Sequence, residues 1–450
     1  MNPSYLEDAS GYLGSADEVF VPDSEDELQA VLRRASDTNT PVTIAGAGTG
    51  VTGARVPLGG WVISMERFRK VEIEHRRAVV GPGLLLKELQ AASVPTGQFY
   101  APDPTEYSAS LGGTIATNAS GSRSFRCGDT RRHVLGLRVA FIDGSVREFR
   151  RGDKVDFPVP AIPRPETTKH TAGFLLQPDM DWVDLFIGSE GTLGVVTEAV
   201  VRLVKMPRDL LAGVIFFPAD HLALEAVEQW RSVSRLRMLE YLDAGSLRLL
   251  AKKYSDVPGK AEAALLIEQE ILTESDMDDW EPRLETSGAL VETSWFAAGD
   301  HDRERFRQFR HSLPEAVNTM VRQRGLLKMG TDFAVPLARN KEMMAFYRRR
   351  LEETFPGQYV IFGHIGDAHV HVNVLPKDGQ ESERARALIT ELAQKAVSLG
   401  GTVSAEHGLG KRKIDLLGIQ YTPAQIEMMR AVKRRLDPKW LLGQGTLFRM

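Results

Sequence analysis

The chain has 450 residues, of which 42% are hydrophobic and 26% charged, and a formal net charge of −4. That balance describes a soluble globular protein of two or three domains, without the basic excess that nucleic acid or an anionic membrane would select. Cys127 is the only cysteine, which excludes an intrachain disulfide, a cysteine-ligated iron–sulfur cluster and a thiolate zinc finger.

The amino-terminal stretch has neither a charged n-region nor an apolar h-region, so no secretory signal is expected. The longest apolar run, residues 210–217, is far shorter than a membrane span. A cytoplasmic protein with no integral membrane segment is the expectation. Peripheral contact with the inner membrane stays open.

In chain order, residues 24–35 predict a helix capped by Ser24, with Leu28, Val31 and Leu32 on one face. A strand at 42–44 then enters the run from Ala45 to Gly60, which holds six glycines. Glycine at this density lets backbone N–H groups point inward with no Cβ in the way, a cradle suited to the diphosphate of a flavin. Gly48, Gly50 and Gly53 also fit the G-x-G-x-x-G spacing of nicotinamide-dinucleotide folds, but that fingerprint needs a helix to start among its glycines. The chain instead continues Arg55-Val56-Pro57-Leu58-Gly59-Gly60, which no helix interior tolerates. The candidate cofactor contacts here are Gly46, Ala47, Gly48, Thr49, Gly50, Thr52 and Gly53.

Strands at 62–65 and 78–80 and a helix at 84–92 follow. After a turn at Pro102-Asp103-Pro104, residues 110–121 are again rich in Gly, Ser, Thr and Asn. Two readings stand for this stretch: a lining for the flavin ring and ribityl chain, or a helix–turn of small residues against a sheet. On the first, Pro102, Asp103, Ser110, Gly112, Gly113, Thr117, Asn118 and Gly121 join the cofactor contacts. A strand at 134–141 closes on the turn Asp143-Gly144, and the proline-rich stretch 154–171 is irregular. Residues 185–197 predict a strand, a glycine turn and a second strand, with Gly188, Glu190, Gly191, Gly194, Val195 and Val196 at the ligand. Three such turns in the first half of the chain suggest one large ligand touched from several sides.

The runs GAGTGVTGARVPLGG, SLGGTIATNASG and LFIGSEGTLGVVTEAVVRL together resemble the flavin domain of the vanillyl-alcohol-oxidase-type (PCMH-type) FAD proteins, nearest the branch of D-lactate, glycolate and D-2-hydroxyglutarate dehydrogenases. The resemblance runs from Tyr5 to Phe448. It implies an α+β fold: a two-subdomain FAD-binding domain (1–205), a cap domain (206–420) with an antiparallel sheet covered by helices on one face, and a C-terminal segment (421–450) returning to the flavin domain. It further implies an FAD-dependent dehydrogenase that oxidises a D-2-hydroxy acid to the 2-oxo acid, with hydride passing to flavin N5 and a metal assisting. Some relatives attach FAD to a histidine in the first glycine loop. Thr49 and no histidine stand there in this chain, so FAD is expected to be noncovalent. Two other roles share this flavin domain: the FAD subunit of a multi-subunit glycolate-oxidase-like complex, and a non-redox flavoenzyme like alkylglycerone-phosphate synthase. The pair Glu406-His407 argues against the latter, which carries a histidine cluster there. Without cluster-binding cysteines, the electron acceptor is an external protein, quinone or oxygen. A homodimer stays open.

After Met206-Pro207, strands are predicted at 211–217, 238–242, 264–269, 290–295, 332–335, 359–361 and 370–375. Helices are predicted at 219–234, 275–285, 303–323, 341–354 and 383–399, with a last one from Pro423 to about 436.

Of the ten histidines, His364, His369, His371 and His407 fall in the last quarter, beside Asp367 and Glu406. A strand from 369 would put His369, His371 and Asn373 on one face and Val370, Val372 and Val374 on the other. Imidazoles with a carboxylate hold a divalent metal and leave positions open for substrate. The other reading is polar strand residues with ordinary hydrogen bonds. The resemblance implies His364, His371 and Glu406 as ligands of Zn or Mn, His407 as catalytic base and Arg310 as the clamp on the substrate carboxylate. Three departures stand out. His369 occupies the place of a usual asparagine, and is read as a further ligand or a substrate contact. Gly330 replaces a usual lysine, with Lys328 nearby; Lys328 and Asn373 complete the expected substrate contacts. Gly443-Gln444-Gly445 replaces the usual Asn-Pro-Gly.

Overall fold

The computed structural model describes residues 2–273, 275–297 and 299–449. Ser24 Oγ accepts the N–H of Glu27 and caps the helix Glu25–Thr38, whose apolar stripe of Leu28, Leu32 and Ala35 is buried. That helix is the crossover between two strands of a small parallel sheet, ordered Glu18–Phe20, Trp61–Ser64, Val42–Ala45. The glycine run lies between the last two of these strands and has no regular structure.

A second sheet is wholly antiparallel, in the order Val71–Glu74, Arg77–Val80, Val195–Arg202, Val134–Ala140, Val146–Arg150. Its strand Val195–Arg202 buries alternate residues, as a sheet with one core face requires. Residues 182–186, however, form the short helix Trp182–Phe186, where the sequence predicted a strand from 185. Asp181 caps it by accepting the N–H of Asp184 at 2.8 Å. Five apolar-rich residues are too few for periodicity to separate helix from strand, and the cap decides.

The second half of the chain is built on an eight-stranded antiparallel sheet. The path runs Trp295–Ala297, Asp209–Phe217, Ala263–Ile271, Leu236–Asp243, Tyr359–Gly363, His369–Val374, Met329–Gly330, and Phe333–Ala334 also pairs with His369–Val374. Residues 290–295 were predicted as a strand, but a 3-10 turn, Val291–Thr293, takes most of that stretch and pairing starts at Trp295. Helices Asp220–Trp230, Asn340–Thr354 and Gly379–Ser398 pack into the core on one face, with Ile215, Tyr241, Ile361, Val370 and Val372. The expected one-sided cover needs correction. Helix Asp300–Gln323 and the shorter Ala244–Leu250 pack on the opposite face, against Val214, Phe216, Leu242 and Val360. They share that face with the polar side chains described below.

The C-terminal helix Pro423–Leu436 carries a capping box from Thr422 and Gln425, and the chain then returns to the first sheet, where Leu442 bridges Val42. Lys433 is fully buried there and donates to Thr192 O at 2.8 Å, Leu442 O at 3.0 Å and Asp437 Oδ2 at 2.7 Å. Its three donors are all satisfied, so a buried ammonium ties the tail to the flanks of the third glycine turn. No described helix is long and apolar enough to cross a membrane.

Candidate active site

A cavity of about 960 Å³ lies between the glycine turns of the first half and the large sheet of the second. Gly46, Ala47, Gly48, Thr49, Gly50 and Thr52 line it from the first turn. Gly48 has φ +78, and Gly46 lies so close to the second stretch that a Cβ would sit 2.6 Å from Ser110 Oγ. Ser110 Oγ accepts the N–H of Ala47 at 3.3 Å and caps the helix Leu111–Ala116, joining the first two stretches. Ser110, Gly112, Gly113 and Thr117 also face the cavity, so the second stretch is both a short helix of small residues and a cavity wall. From the third turn Glu190, Gly191, Gly194, Val195 and Val196 line it.

The remaining cofactor candidates stand behind this wall. Gly53 donates to Asp8 Oδ2 at 3.1 Å. Asp103, next to Pro102, pairs with Arg123 Nη1 at 2.9 Å and accepts from Tyr107 at 2.7 Å. Asn118, at φ 49, donates to Asp129 at 2.8 Å and accepts the N–H of Arg131 at 2.8 Å. Gly121 packs so tightly on the carbonyl of Asp103 that a Cβ would lie 1.7 Å from it. Gly188 turns at φ +81 and donates to Ile115 O at 3.0 Å. These groups shape the turns from outside.

Glu190 ties the first half to the loop bearing His407. At φ 52 it aims its carboxylate at the backbone, accepting the N–H of Leu409 at 2.9 Å and of Gly410 at 2.8 Å. Burial pushes its pKa up to about 7 against these hydrogen bonds. Thr52 O accepts the N–H groups of Lys411 and Arg412, so two glycine turns grip one loop.

His371, Asn373, Glu406, His407, Lys328 and Arg310 line the opposite wall. Behind it, His364 Nε2 and His371 Nε2 lie 3.2 and 3.3 Å from the same oxygen, Glu406 Oε1. Each ring is fixed from its other nitrogen. His364 Nδ1 donates to Glu240 Oε1 at 2.6 Å, and His371 Nδ1 donates to Thr331 O at 3.2 Å. Nδ1–H bonds of this kind leave the Nε2 lone pair for a cation. Atoms of His364, His369, His371 and Glu406 suited to ligation all lie within 4.8 Å of one another. The second oxygen of Glu406 faces the half that carries the glycine turns: Ser120 Oγ donates to it at 3.0 Å and Lys169 Nζ at 3.2 Å.

Arg310 reaches the site from helix Asp300–Gln323, donating Nε to Glu240 Oε2 at 2.7 Å and Nη1 to Thr105 Oγ1 at 3.1 Å. Glu240 therefore bridges His364 and Arg310, and although burial raises its pKa, the Arg310 guanidinium and the interaction with His364 hold it far below the usual carboxylate range. His407 has Nδ1 3.4 Å from Asp332 Oδ1, and Asp332 Oδ2 accepts the backbone N–H of His407 at 2.9 Å. The ring keeps 33% of its side-chain surface open, and burial lowers its pKa to about 4 despite Asp332 and Glu406. Lys328 drops to about 8 through burial and the charges of Lys413 and Arg412. Asn373 is buried, and neither amide atom has a hydrogen-bond partner among the described residues.

The sequence reading did not single out Lys169, Ser120, Glu240, Asp332 or Thr331 as site residues. Glu240 had a signal: it is the one charge in the apolar stretch 238–242. Lys169 had none, since it sits in the proline-rich excursion and meets a carboxylate 237 positions away.

The chain matches two family profiles: "FAD binding domain" over residues 16–150 and "FAD linked oxidases, C-terminal domain" over residues 206–447. It is 31% identical over 439 residues to a D-lactate dehydrogenase of Archaeoglobus fulgidus, covering 96% of this chain and 91% of that one. It is 30% identical to glycolate oxidase subunit GlcD of Bacillus subtilis (97% and 90% covered) and 29% identical to a D-2-hydroxyglutarate dehydrogenase of Xanthomonas citri pv. viticola (96% and 89% covered). A solved alkyldihydroxyacetonephosphate synthase superposes with a TM-score of 0.67 at 19% identity, covering 94% of this chain and 76% of that one, a likeness of fold alone.

Proposed function

The chain belongs to the family of FAD-linked oxidases, and from that premise we propose that it oxidises a D-2-hydroxy acid, of the D-lactate, glycolate or D-2-hydroxyglutarate type, to the 2-oxo acid. The observation that carries the proposal is one cavity lined by Gly48 and Gly191 on one side and His371, Glu406 and His407 on the other. We assign residues 1–205 to the FAD domain, 206–420 to the cap and 421–450 to the returning tail.

The cavity fits FAD in its chemistry: inward backbone at Gly46 to Gly50, small walls at Ser110 to Gly113, and no histidine in the first loop to attach the cofactor. When bound, FAD supplies the two-electron acceptor for the Cα hydrogen. The donor set of His364, His371 and Glu406 fits a divalent cation, because both Nε2 atoms converge on one carboxylate oxygen. Zinc or manganese held there would supply a Lewis acid that lowers the pKa of a neighbouring hydroxyl.

The chain's own side chains do the rest. Arg310 is already charged and oriented by Glu240, so its remaining N–H donors can hold the substrate carboxylate in a fixed plane. His407 stays neutral at neutral pH, and with Nδ1 turned to Asp332 its Nε2 accepts the hydroxyl proton. Lys328 and the unpaired amide of Asn373 meet the rest of the substrate. Electrons leave to an external protein, quinone or oxygen.

The test is dye-linked turnover of D- and L-2-hydroxy acids with identification of the product. The 2-oxo acid from the D enantiomer is expected; a preparation that binds FAD but turns over no hydroxy acid would refute the proposal.

A further inference from the structure

His369 opens the strand His369–Val374 and is fully buried. Its Nδ1 finds no hydrogen-bond partner among the described residues. Its Nε2 faces Asp332 Oδ1 at 3.1 Å. The other Asp332 oxygen is spent on Ser404 Oγ and the backbone N–H groups of Glu406 and His407. A buried imidazole nitrogen without a partner is rare, because an unmet group forfeits its solvation.

Three potential ligands, His364, His371 and Glu406, surround this ring. Its centroid lies 4.6 Å from that of His371 and 5.2 Å from that of His364. One nitrogen of each of the three rings and one oxygen of Glu406 fall within 4.8 Å of one another. His364 and His371 each have Nδ1 held by an acceptor and Nε2 turned to Glu406, whereas His369 has Nε2 beside Asp332 and its Nδ1 unpartnered among the described residues.

We propose that His369 is a fourth protein ligand of the metal held by His364, His371 and Glu406. This rests on the metal-assisted reading above and deepens it. Four protein donors saturate a strictly tetrahedral ion. A substrate that must still reach the metal therefore needs an ion accepting five or six ligands, which favours manganese or cobalt over tetrahedral zinc. The fourth ligand comes from the same strand face as His371 and adds no charge.

X-ray absorption of the FAD-loaded protein carrying cobalt(II) counts imidazoles directly. We expect three in the wild type and two in His369→Asn, with the cobalt Kd raised at least ~10-fold in the variant. His369→Gln serves if the asparagine variant does not fold. A wild-type count of two, or a count unchanged by either substitution, overturns the assignment of His369 while leaving the metal reading intact. Protein that takes up no cobalt overturns both. Flavin reduction by hydroxy acid, read separately, reports on the dehydrogenase reading alone.

Discussion

Nδ1 of His364 lies 2.6 Å from Oε1 of Glu240, with both side chains buried. The same carboxylate accepts Arg310 Nε through its other oxygen. One residue thus aims a proposed metal ligand and a proposed substrate clamp, so the two cannot shift independently.

Glu240→Gln tests that link. An amide presents an acceptor to only one of the two donors and turns N–H groups toward the other. Zinc affinity is expected to fall about 10–100-fold, the scale for a partner that orients a metal-binding histidine. Zinc titration of the metal-free protein reads this directly. An unchanged affinity would mean that His364 is oriented by something else.

Lys169 is fully buried, with Nζ 3.2 Å from Glu406 and 3.6 Å from Asp367. Lys169→Met keeps the volume and removes the charge. The metal-free variant should lose about 3–5 kcal/mol of stability in urea, the usual result of stranding a buried charge. A change below about 1 kcal/mol would show that Ser120 and His364 suffice to hold Glu406.

The pH dependence of Glu190 has a definite sign. Its folded pKa is raised to about 7 from an ordinary 4.5, so the folded chain binds the proton more tightly than the unfolded chain. Its contribution is full below about pH 4.5 and is lost as pH rises to about 7. Relative to Glu190→Gln, the FAD-free wild type should lose roughly 3 kcal/mol across that window. Urea unfolding of both proteins at several pH values measures it. A difference that is flat, or that grows with pH, would contradict the burial argument.

Gly48→Ala probes the cradle. The residue sits at φ +78, and a Cβ would lie 2.0 Å from Nη1 of Arg55, whose guanidinium is tied to the carbonyls of Glu7 and Ser4. Left-handed strain alone is about 1–2 kcal/mol, so FAD affinity should drop about tenfold or more. Titration of apoprotein with FAD checks this. Unchanged affinity would separate this turn from the cofactor.

Local signals in the chain were strong where chemistry is local. The alternation from His369 to Asn373 gives the strand face directly, and the caps at Ser24 and Thr422 mark helix starts. Glycine density marks the turns, but it does not say which glycines face a ligand and which, like Gly121, merely let two backbones touch. The supporting partners were illegible because they are assembled over long separations. Glu240 meets His364 across 124 positions and Ser120 meets Glu406 across 286. The helix cover on the second sheet face was missed because a strand apolar on both sides, such as Asp209–Phe217, does not reveal what each side packs against.

The most direct test of a single active centre built from both halves of the chain is anaerobic mixing of hydroxy acid with FAD-loaded protein, comparing wild type with His407→Asn. The wild-type flavin should bleach, while the variant keeps its FAD and bleaches about 10²–10⁴-fold more slowly. Equal bleaching rates would show that His407 does not serve the flavin reaction and would contradict the account.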